Sequence, residues 1–397
     1  MKQIIIIIND YGYINGGAGK VAIQSAIELS KLGYNVIFFC AVGPIDEELK
    51  KSVYMAICLN QSDILNNRSK LKASIQGVWN QKAYNALNSL LHEKNKYIVH
   101  IHGWSKALSS SVVKACNDNG LKPFISIHDY FSVCPNGGFF NYKKKKICSI
   151  KPVSLKCLIC NCDSRNYVYK CWRFIRQKVQ DKYIKNNPNI RIIYLSNFSF
   201  SIIKNYLHTS EFYYLQNPIE QFNIKNVSTK RNSLLLYVGR ISPEKGVDLF
   251  CQAITDLRAK GVVIGDGPEK KQLEKKYKNI LFTGWLDREE ITNYAKKTKA
   301  LIFPSRWYEV SPLTSEEFLQ CGIPVIVSNQ CAAKESITEG INGFIFKSGD
   351  LESLKSKITL LLSNKQENLF EVSSWHNNSV SNSKHIKELL KIYNNSK

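Results

Sequence analysis

No run of the 397 residues approaches the roughly 18–20 consecutive apolar positions of a membrane-spanning helix. The apolar run at residues 4–8 breaks at Asn9-Asp10 and lacks the length and cleavage site of a signal peptide. A buried first strand in a cytoplasmic protein is therefore the expectation. No repeat of roughly 20–50 residues and no low-complexity tail occurs, which excludes a solenoid array. The dinucleotide fingerprint Gly-x-Gly-x-x-Gly is also missing. Gly16-Gly17-Ala18-Gly19 does not fit it and no acid ends the second apolar run, which argues against a nicotinamide oxidoreductase. Acidic residues are scarce, 32 against 55 Lys and Arg, for a formal charge of +23. Residues 141–190 alone hold thirteen Lys and Arg against Asp163 and Asp181. That surplus reflects either a Lys-rich compositional bias or an acidic partner, a membrane surface or nucleic acid.

What is present points to an enzyme-sized globular chain. A length of 397 residues suits two domains, and 44% hydrophobic with 22% charged residues is an ordinary soluble composition. Six of the twelve cysteines (Cys134, Cys148, Cys157, Cys160, Cys162, Cys171) fall within 38 positions. In a reducing compartment this reads in one of two ways. It is a structural zinc knot, with Cys148, Cys157, Cys160 and Cys171 as thiolate ligands, or a loop with scattered reduced thiols.

Short β-branched runs at 4–9, 35–40, 96–101, 124–127 and 191–195 alternate with helical patterns. A polar linker is expected at 216–232, after which the alternation resumes through 325–327. This rhythm predicts an α/β fold of two doubly wound, Rossmann-like parallel-sheet domains facing a cleft, with ligands at the carboxyl ends of the strands. The expected domains are 1–215, with a Cys-rich basic insert at about 131–190, and 233–372. A last helix in 373–397 is expected to return to the first domain.

Three segments carry candidate chemistry. Gly239-Arg240-Ile241-Ser242-Pro243-Glu244-Lys245-Gly246 follows a strand, and its Arg fork and Lys point charge suit a diphosphate. Gly265-Asp266-Gly267-Pro268 is a tight strand-to-helix turn whose expected role is structural. In Tyr308-Glu309-Val310-Ser311-Pro312-Leu313, Ser311 is the expected helix cap and Pro312 the first helical residue. Glu309 then lies in the preceding loop, Glu317 points inward along the helix, and backbone N–H groups between them make an anion site. Two carboxylates around a phosphate cradle suit a sugar nucleotide; the plainer alternative is a capped helix with exposed acids.

Taken in order with Thr283-Gly284-Trp285, Cys321-Gly322-Ile323-Pro324-Val325 and Glu339-Gly340-x-Asn342-Gly343, these segments resemble the retaining glycosyltransferases of family 4, which have the GT-B fold. The resemblance covers 234–362. It implies that Arg240 and Lys245, beside Gly239, hold the diphosphate of the donor. It also implies that Glu317 binds the ribose and that Glu309, with Val310, Ser311, Pro312 and Leu313, holds the donor sugar. Many relatives have Gly-Phe-Gly where this chain has Val310-Ser311-Pro312, which leaves the donor open. In the first half, Gly16 and Gly17 resemble the glycine-rich loop beside the donor phosphates and acceptor. Val99-His100-Ile101-His102 and Ser126-Ile127-His128-Asp129 resemble the His-bearing strand ends, with His128 near the reacting sugar.

The resemblance implies transfer of a sugar, with retention, to a growing surface polysaccharide or lipid-linked oligosaccharide in a bacterial setting. No Asp-x-Asp pair occurs, so no catalytic metal is expected. Two rivals are a sugar-nucleotide epimerase of the same fold, which needs acid/base residues that do not stand out, and a zinc-knotted nucleic-acid-binding protein, which leaves Arg240, Lys245, Glu309 and Glu317 unexplained; no nucleic-acid partner is expected. Finally, Tyr169, Trp172, Ile175, Val179 and Tyr183 fall at helical spacing among basic residues. That stripe fits either anionic lipid at the inner face of the cell membrane or packing on its own domain.

Overall fold

The computed structural model describes residues 3–91, 97–209, 211–220, 222–224, 227–363 and 380–395. The expected strand start at 96, the expected domain end at 372 and the segment 373–379 lie outside the described residues. The chain divides into two compact units. One comprises Met1–Gly138, Ser149–Pro218 and Val380–Lys397, the other Phe139–Cys148 and Ile219–Ser379. Residues 139–148 thus group with the second unit although they fall inside the basic insert.

The first unit opens with β1 (Ile4–Tyr11), α1 (Gly17–Lys31), β2 (Val36–Val42), α2 (Glu47–Ser52), β3 (Met55–Cys58), α3 (Lys70–Val78), α4 (Gln81–Leu90) and β4 (Tyr97–Ile101). After α5 (Ser111–Asp118) and β5 (Phe124–Ser126), the small antiparallel pair β6 (Phe140–Asn141) and β7 (Lys146–Ile147) belongs to the second unit. The first unit resumes with α6 (Leu155–Ile159), α7 (Tyr167–Asp181), β8 (Arg191–Tyr194), α8 (Asn197–Ile203) and β9 (Phe212–Tyr214). Its strands run in the order β3-β2-β1-β4-β5-β8-β9, all neighbours parallel. Ile5, Ile6, Ile7 and Ile8 are each fully buried, which a strand achieves only when helices cover both sheet faces. The edge strands β3 and β9 were not expected from the sequence. Both are half exposed and lack the continuous apolar run that marks a central strand.

The second unit runs β10 (Leu234–Val238), α9 (Val247–Asp256), β11 (Lys260–Ile264), α10 (Lys270–Lys276), β12 (Leu281–Gly284), α11 (Arg288–Ala295), β13 (Thr298–Phe303), α12 (Leu313–Gln320), β14 (Val325–Ser328), β15 (Gly343–Phe346) and α13 (Leu351–Leu362). The last helix, α14 (Asn382–Asn395), belongs to the first unit, where it packs on α1. The sheet order is β12-β11-β10-β13-β14-β15, again parallel. Period-two alternation feeds two separate cores. Leu235, Tyr237, Ala300 and Ile302 enter one with α9 and α13, while Leu236, Leu301 and Phe303 enter the other with α12. Chain direction reverses its lateral path at β10, with β11 on one side and β13 on the other. Such a switch point opens a crevice at the carboxyl ends of these strands.

Helix α7 forms where the pattern predicted a helix, capped by Asn166, but its faces are not as expected. Its buried positions are Phe174 and the polar Lys170, Arg176, Gln177 and Gln180. Ile175 is 57% exposed, and Tyr169 is exposed as well. Trp172, Val179 and Tyr183 of the predicted stripe are half-buried, and Trp172 donates from its indole to Ser74 O at 3.0 Å. A Cβ at Gly77 would lie 2.5 Å from the Trp172 ring, so the bare glycine permits this approach of α3 to α7.

Candidate active site

The site is built where β10, β11 and β13 end. Gly239 (φ 151°) turns the chain out of β10, and its N–H donates to Ile264 O at 3.0 Å. Gly265 leaves β11 so close that a Cβ there would lie 1.9 Å from Gly239 O. The Ile241 N–H donates to Asp266 O at 2.8 Å, which ties the two loops together through backbone. The Gly-Asp-Gly turn is thus a structural clamp on the Arg240 loop. Arg240 itself is exposed and makes no side-chain ion pair or hydrogen bond among the described residues.

Lys245 ends a 3-10 turn, Pro243–Lys245, and Gly246 follows in the left-handed region at φ 68°. A Cβ at Gly246 would meet Pro304 O at 2.1 Å, so glycine alone lets this loop press on the chain leaving β13. The result is a direct bond: Lys245 Nζ donates to Glu309 Oε1 at 2.6 Å. Ser305 Oγ donates to the same oxygen at 2.7 Å. Glu309 is 7% exposed, and its backbone is pinned where Ala332 N–H donates to Glu309 O. The Lys245 ammonium also lies 5.4 Å from the Trp307 ring. Beside this pair, Arg306 holds Asp248 through two bonds of 2.6 and 3.0 Å.

The helix after Glu309 begins one residue later than expected. Pro312 is the cap residue, Leu313 is first in the helix, and Ser311 does not cap it. Pro312 at φ −78° and ψ 107° is extended, and no side chain caps the first turn of α12. Its leading N–H groups are therefore not engaged by a side-chain cap, the arrangement that favours an anion. Glu317 lies farther along α12, where Arg288 Nη1 donates to it at 3.2 Å. Arg288 also donates to Glu220 O at 2.6 Å and stacks 4.5 Å from Phe222. Sequence reasoning missed Arg288 and Ser305. Arg288 carried a signal: a cation in the first turn of a helix opposes the helix dipole, so it needs a carboxylate elsewhere.

The structure therefore joins Lys245 to Glu309 directly and gives Glu317 a cation of its own. It shows no bond between the Arg240 side chain and any of these.

In the first unit, Gly16 caps α1 with φ 149° and Gly17 is its first residue, again with no side-chain cap. His100 and His102 lie at the end of β4 and His128 just past β5. His102 Nδ1 and His128 Nε2 are 3.0 Å apart with their rings stacked, and the His100 and His102 ring centres lie 4.1 Å apart, tilted by 38°. His100 bonds Tyr393 Oη and Ser126 Oγ, both at 2.8 Å. Burial lowers all three imidazoles, with like charge on the neighbouring rings adding to it, and takes His128 down to about 4.

These imidazoles are thus neutral at pH 7 and suited to bonding hydroxyls. The unfolded chain, whose His titrates near 6.5, takes up protons first as pH falls. Stability is complete above that value and is lost on acidification towards the folded pKa. Asp10 and Asp129, which burial raises, act in the opposite direction. Comparison with His128→Gln isolates the imidazole. Between pH 7 and 5 the natural chain should lose about 2 kcal/mol more than this variant in urea titrations. Parallel losses in the two proteins would contradict the assigned neutrality.

The cysteines form no disulfide. Among the described residues, no group of three or more His, Cys, Asp or Glu is arranged to hold a metal ion. Cys148, Cys157, Cys160 and Cys171 are thus not gathered as ligands. Cys157 instead faces the buried Lys170, whose Nζ lies 3.2 Å from its sulfur. Asn136 links Cys134 and Cys162 through bonds of 3.1 and 3.5 Å. An ammonium directed at the sulfur occupies ground a dication would need, and the residues do not fit a zinc knot.

Residues 218–372 match the family model described as glycosyl transferases group 1. The UDP-Gal:alpha-D-GlcNAc-diphosphoundecaprenol alpha-1,3-galactosyltransferase of Escherichia coli is 26% identical over 197 residues, which is 45% of this chain and 49% of that protein. Among solved structures, sucrose-phosphate synthase from Thermosynechococcus elongatus superposes with TM-score 0.70 at 16% identity, covering 100% of this chain and 99% of that one. Anabaena HepE, solved with UDP and glucose, gives TM-score 0.68 at 12% identity, with coverage of 99% and 100%. The two parallel-sheet domains are those of the GT-B fold. The sequence matches cover about a quarter to a half of the length of the first curated relatives.

Proposed function

We propose that the protein is a retaining family 4 glycosyltransferase that moves a hexose from a nucleotide diphosphate to a saccharide or lipid-linked acceptor in surface-polysaccharide synthesis. The observation that carries this reading is the Lys245–Glu309 pair, set ahead of the uncapped first turn of α12 within the segment that matches glycosyl transferases group 1. Lys245 and Arg240 neutralise the leaving diphosphate, the α12 N–H groups take a phosphate or sugar oxygen, and Glu317 holds the ribose. Lys245 exchanges part of its bond to Glu309 for the diphosphate, which frees Glu309 for sugar hydroxyls. His128, neutral at working pH, bonds a hydroxyl of the reacting sugar. The reaction needs no catalytic metal, and the protein works in the cytoplasm at the membrane face. A UDP-linked donor is supported by the names of the Escherichia coli relative and the Anabaena structure.

A thermal-shift screen of UDP-, GDP-, ADP- and dTDP-sugars tests the reading, because a ligand that binds only the folded state raises its melting point. One nucleotide sugar should raise it, and the product formed from that donor should keep its anomeric configuration by NMR. Absence of a shift with every donor would refute the donor site, and an inverted product would refute retention.

A further inference from the structure

The first unit contains a cavity of about 380 Å³, bounded by α3, α7 and the loops that follow β3, β4 and β5. Five cations line it: Lys70, Lys106, Arg165, Arg173 and Arg176. Three carboxylates, Asp10, Asp129 and Asp163, face the inner three, Lys106, Arg173 and Arg176, so five cations meet three acids. Asp163 pairs with Arg173 at 3.2 Å. Asp10 accepts three backbone N–H groups, from Lys106, Ala107 and Leu108, and Asp129 accepts that of Phe131.

Lys106 and Arg176 are left without a direct ion pair among the described residues. Arg176 is 4% exposed, donates only to the neutral carbonyls of Ser105 and Pro135, and its Nε has no partner. Lys106, Arg173 and Arg176 crowd around one Phe131 ring at 4.9, 6.0 and 4.8 Å. Burial pulls Lys106 down to about 8; Asp129 and Asp10 oppose this, and the Arg176 and Arg173 charges add to it. An excess of two cations, with the Arg176 Nε unmatched, calls for an anion.

The surroundings of the cavity are apolar and open. Leu71 and Ile75 on α3, Leu155 and Ile159 on α6, and Val168 and Ile175 on α7 are all between 57% and 76% exposed. Helices α3 and α6 both pack on α7, so these aliphatic side chains lie on adjoining helices. Val168 lines the cavity itself, and a basic cavity on helices that expose aliphatic side chains matches an amphiphile better than a free sugar phosphate.

We infer that the α3–α7 cavity binds the phosphate or diphosphate headgroup of a membrane lipid, while the aliphatic side chains of α3, α6 and α7 enter its acyl layer. Its assignment as the lipid that carries the acceptor sugar rests on the transferase reading above; the lipid binding itself does not. Lys106 and Arg176 meet the headgroup at the cavity floor, and Lys70 and Arg165 meet it nearer the mouth.

The test uses the full chain and vesicles, without nucleotide, so failure of the donor reading leaves it interpretable. Cosedimentation with phosphatidylcholine vesicles containing phosphatidic acid should exceed that with pure phosphatidylcholine at least tenfold. It should also exceed that with phosphatidylserine at matched charge, since a diester headgroup offers less anionic oxygen. Lys106→Gln with Arg173→Gln should remove most of the gain while the circular dichroism melt stays cooperative. If that pair fails to fold, Leu71→Ser with Val168→Ser, both on exposed positions, must still weaken vesicle binding severalfold. Equal binding to both anionic vesicles, or no loss in either variant, overturns the inference. So does a melting shift with inorganic pyrophosphate in the absence of vesicle binding, because the cavity would then take a free phosphate.

Discussion

Lys245→Ala should lower sugar-nucleotide turnover by about a hundred- to a thousandfold, the usual effect of deleting one preorganised charge at a developing anion. Lys245 reaches its position because Gly246 lets the loop press on Pro304, and its ammonium is fixed by Glu309 at 2.6 Å and by the Trp307 and Phe303 rings. Its removal leaves Glu309 with Ser305 as a remaining donor. A carboxylate with one donor lost costs about 1–3 kcal/mol, which lowers the melting point by roughly 2–10 °C in a domain of this size. Turnover measured at 25 °C, well below either melting point, separates the chemical loss from the structural one. Lys245→Arg should restore only part of the rate, because a planar fork replaces a compact point charge. Unchanged turnover in the alanine variant would remove Lys245 from the mechanism.

Gly265→Ala should be the most damaging single-methyl change in the second domain. The added Cβ would sit 1.9 Å from Gly239 O, at φ 135°, and neither backbone can yield without opening the β10–β11 junction. The expected loss is at least about 3 kcal/mol, seen as a collapse of soluble expression or of the urea midpoint. Gly340→Ala is the control. Its φ of 80° is also positive, but nothing lies within 4 Å of the new methyl, so only about 1–2 kcal/mol should be lost. Equal losses at the two positions would mean that backbone conformation, not the loop crossing, governs the site.

Much of this was legible because it depends on local pattern. Runs such as Ile5 to Ile8 are apolar at successive positions, and such a run folds as a strand covered on both faces. Gly239 and Gly265 marked turns; both have positive φ, and Gly265 also serves a close backbone approach, to Gly239 O. The register of α12 was legible only to within one residue, since Ser311 and Pro312 are both acceptable cap-region residues and the extended Pro312 decided the start. Strands β3 and β9 escaped notice because half-exposed edge strands carry mixed sequence.

The thiol cluster and α7 show the limit of pattern. Spacing said that cysteines gather; it did not say that Lys170, thirteen residues beyond Cys157, would point its ammonium at the sulfur. Likewise, helical periodicity placed an apolar stripe on α7. The fold turned Lys170, Arg176, Gln177 and Gln180 inward, where a thiol and buried carbonyls accept from them, with the Arg176 Nε left over.

The sequence by itself determined the alternation of strands and helices, hence two parallel sheets, and the residue types able to meet a diphosphate and a sugar. Those follow from periodicity and turn chemistry within a few residues of one another. Only the tertiary structure decided which charges meet. The Lys245–Glu309 bond spans 64 positions, Arg288–Glu317 spans 29, and Lys106 lies 70 positions from Arg176. Partners that far apart are chosen by the packing of whole elements, which no local pattern encodes.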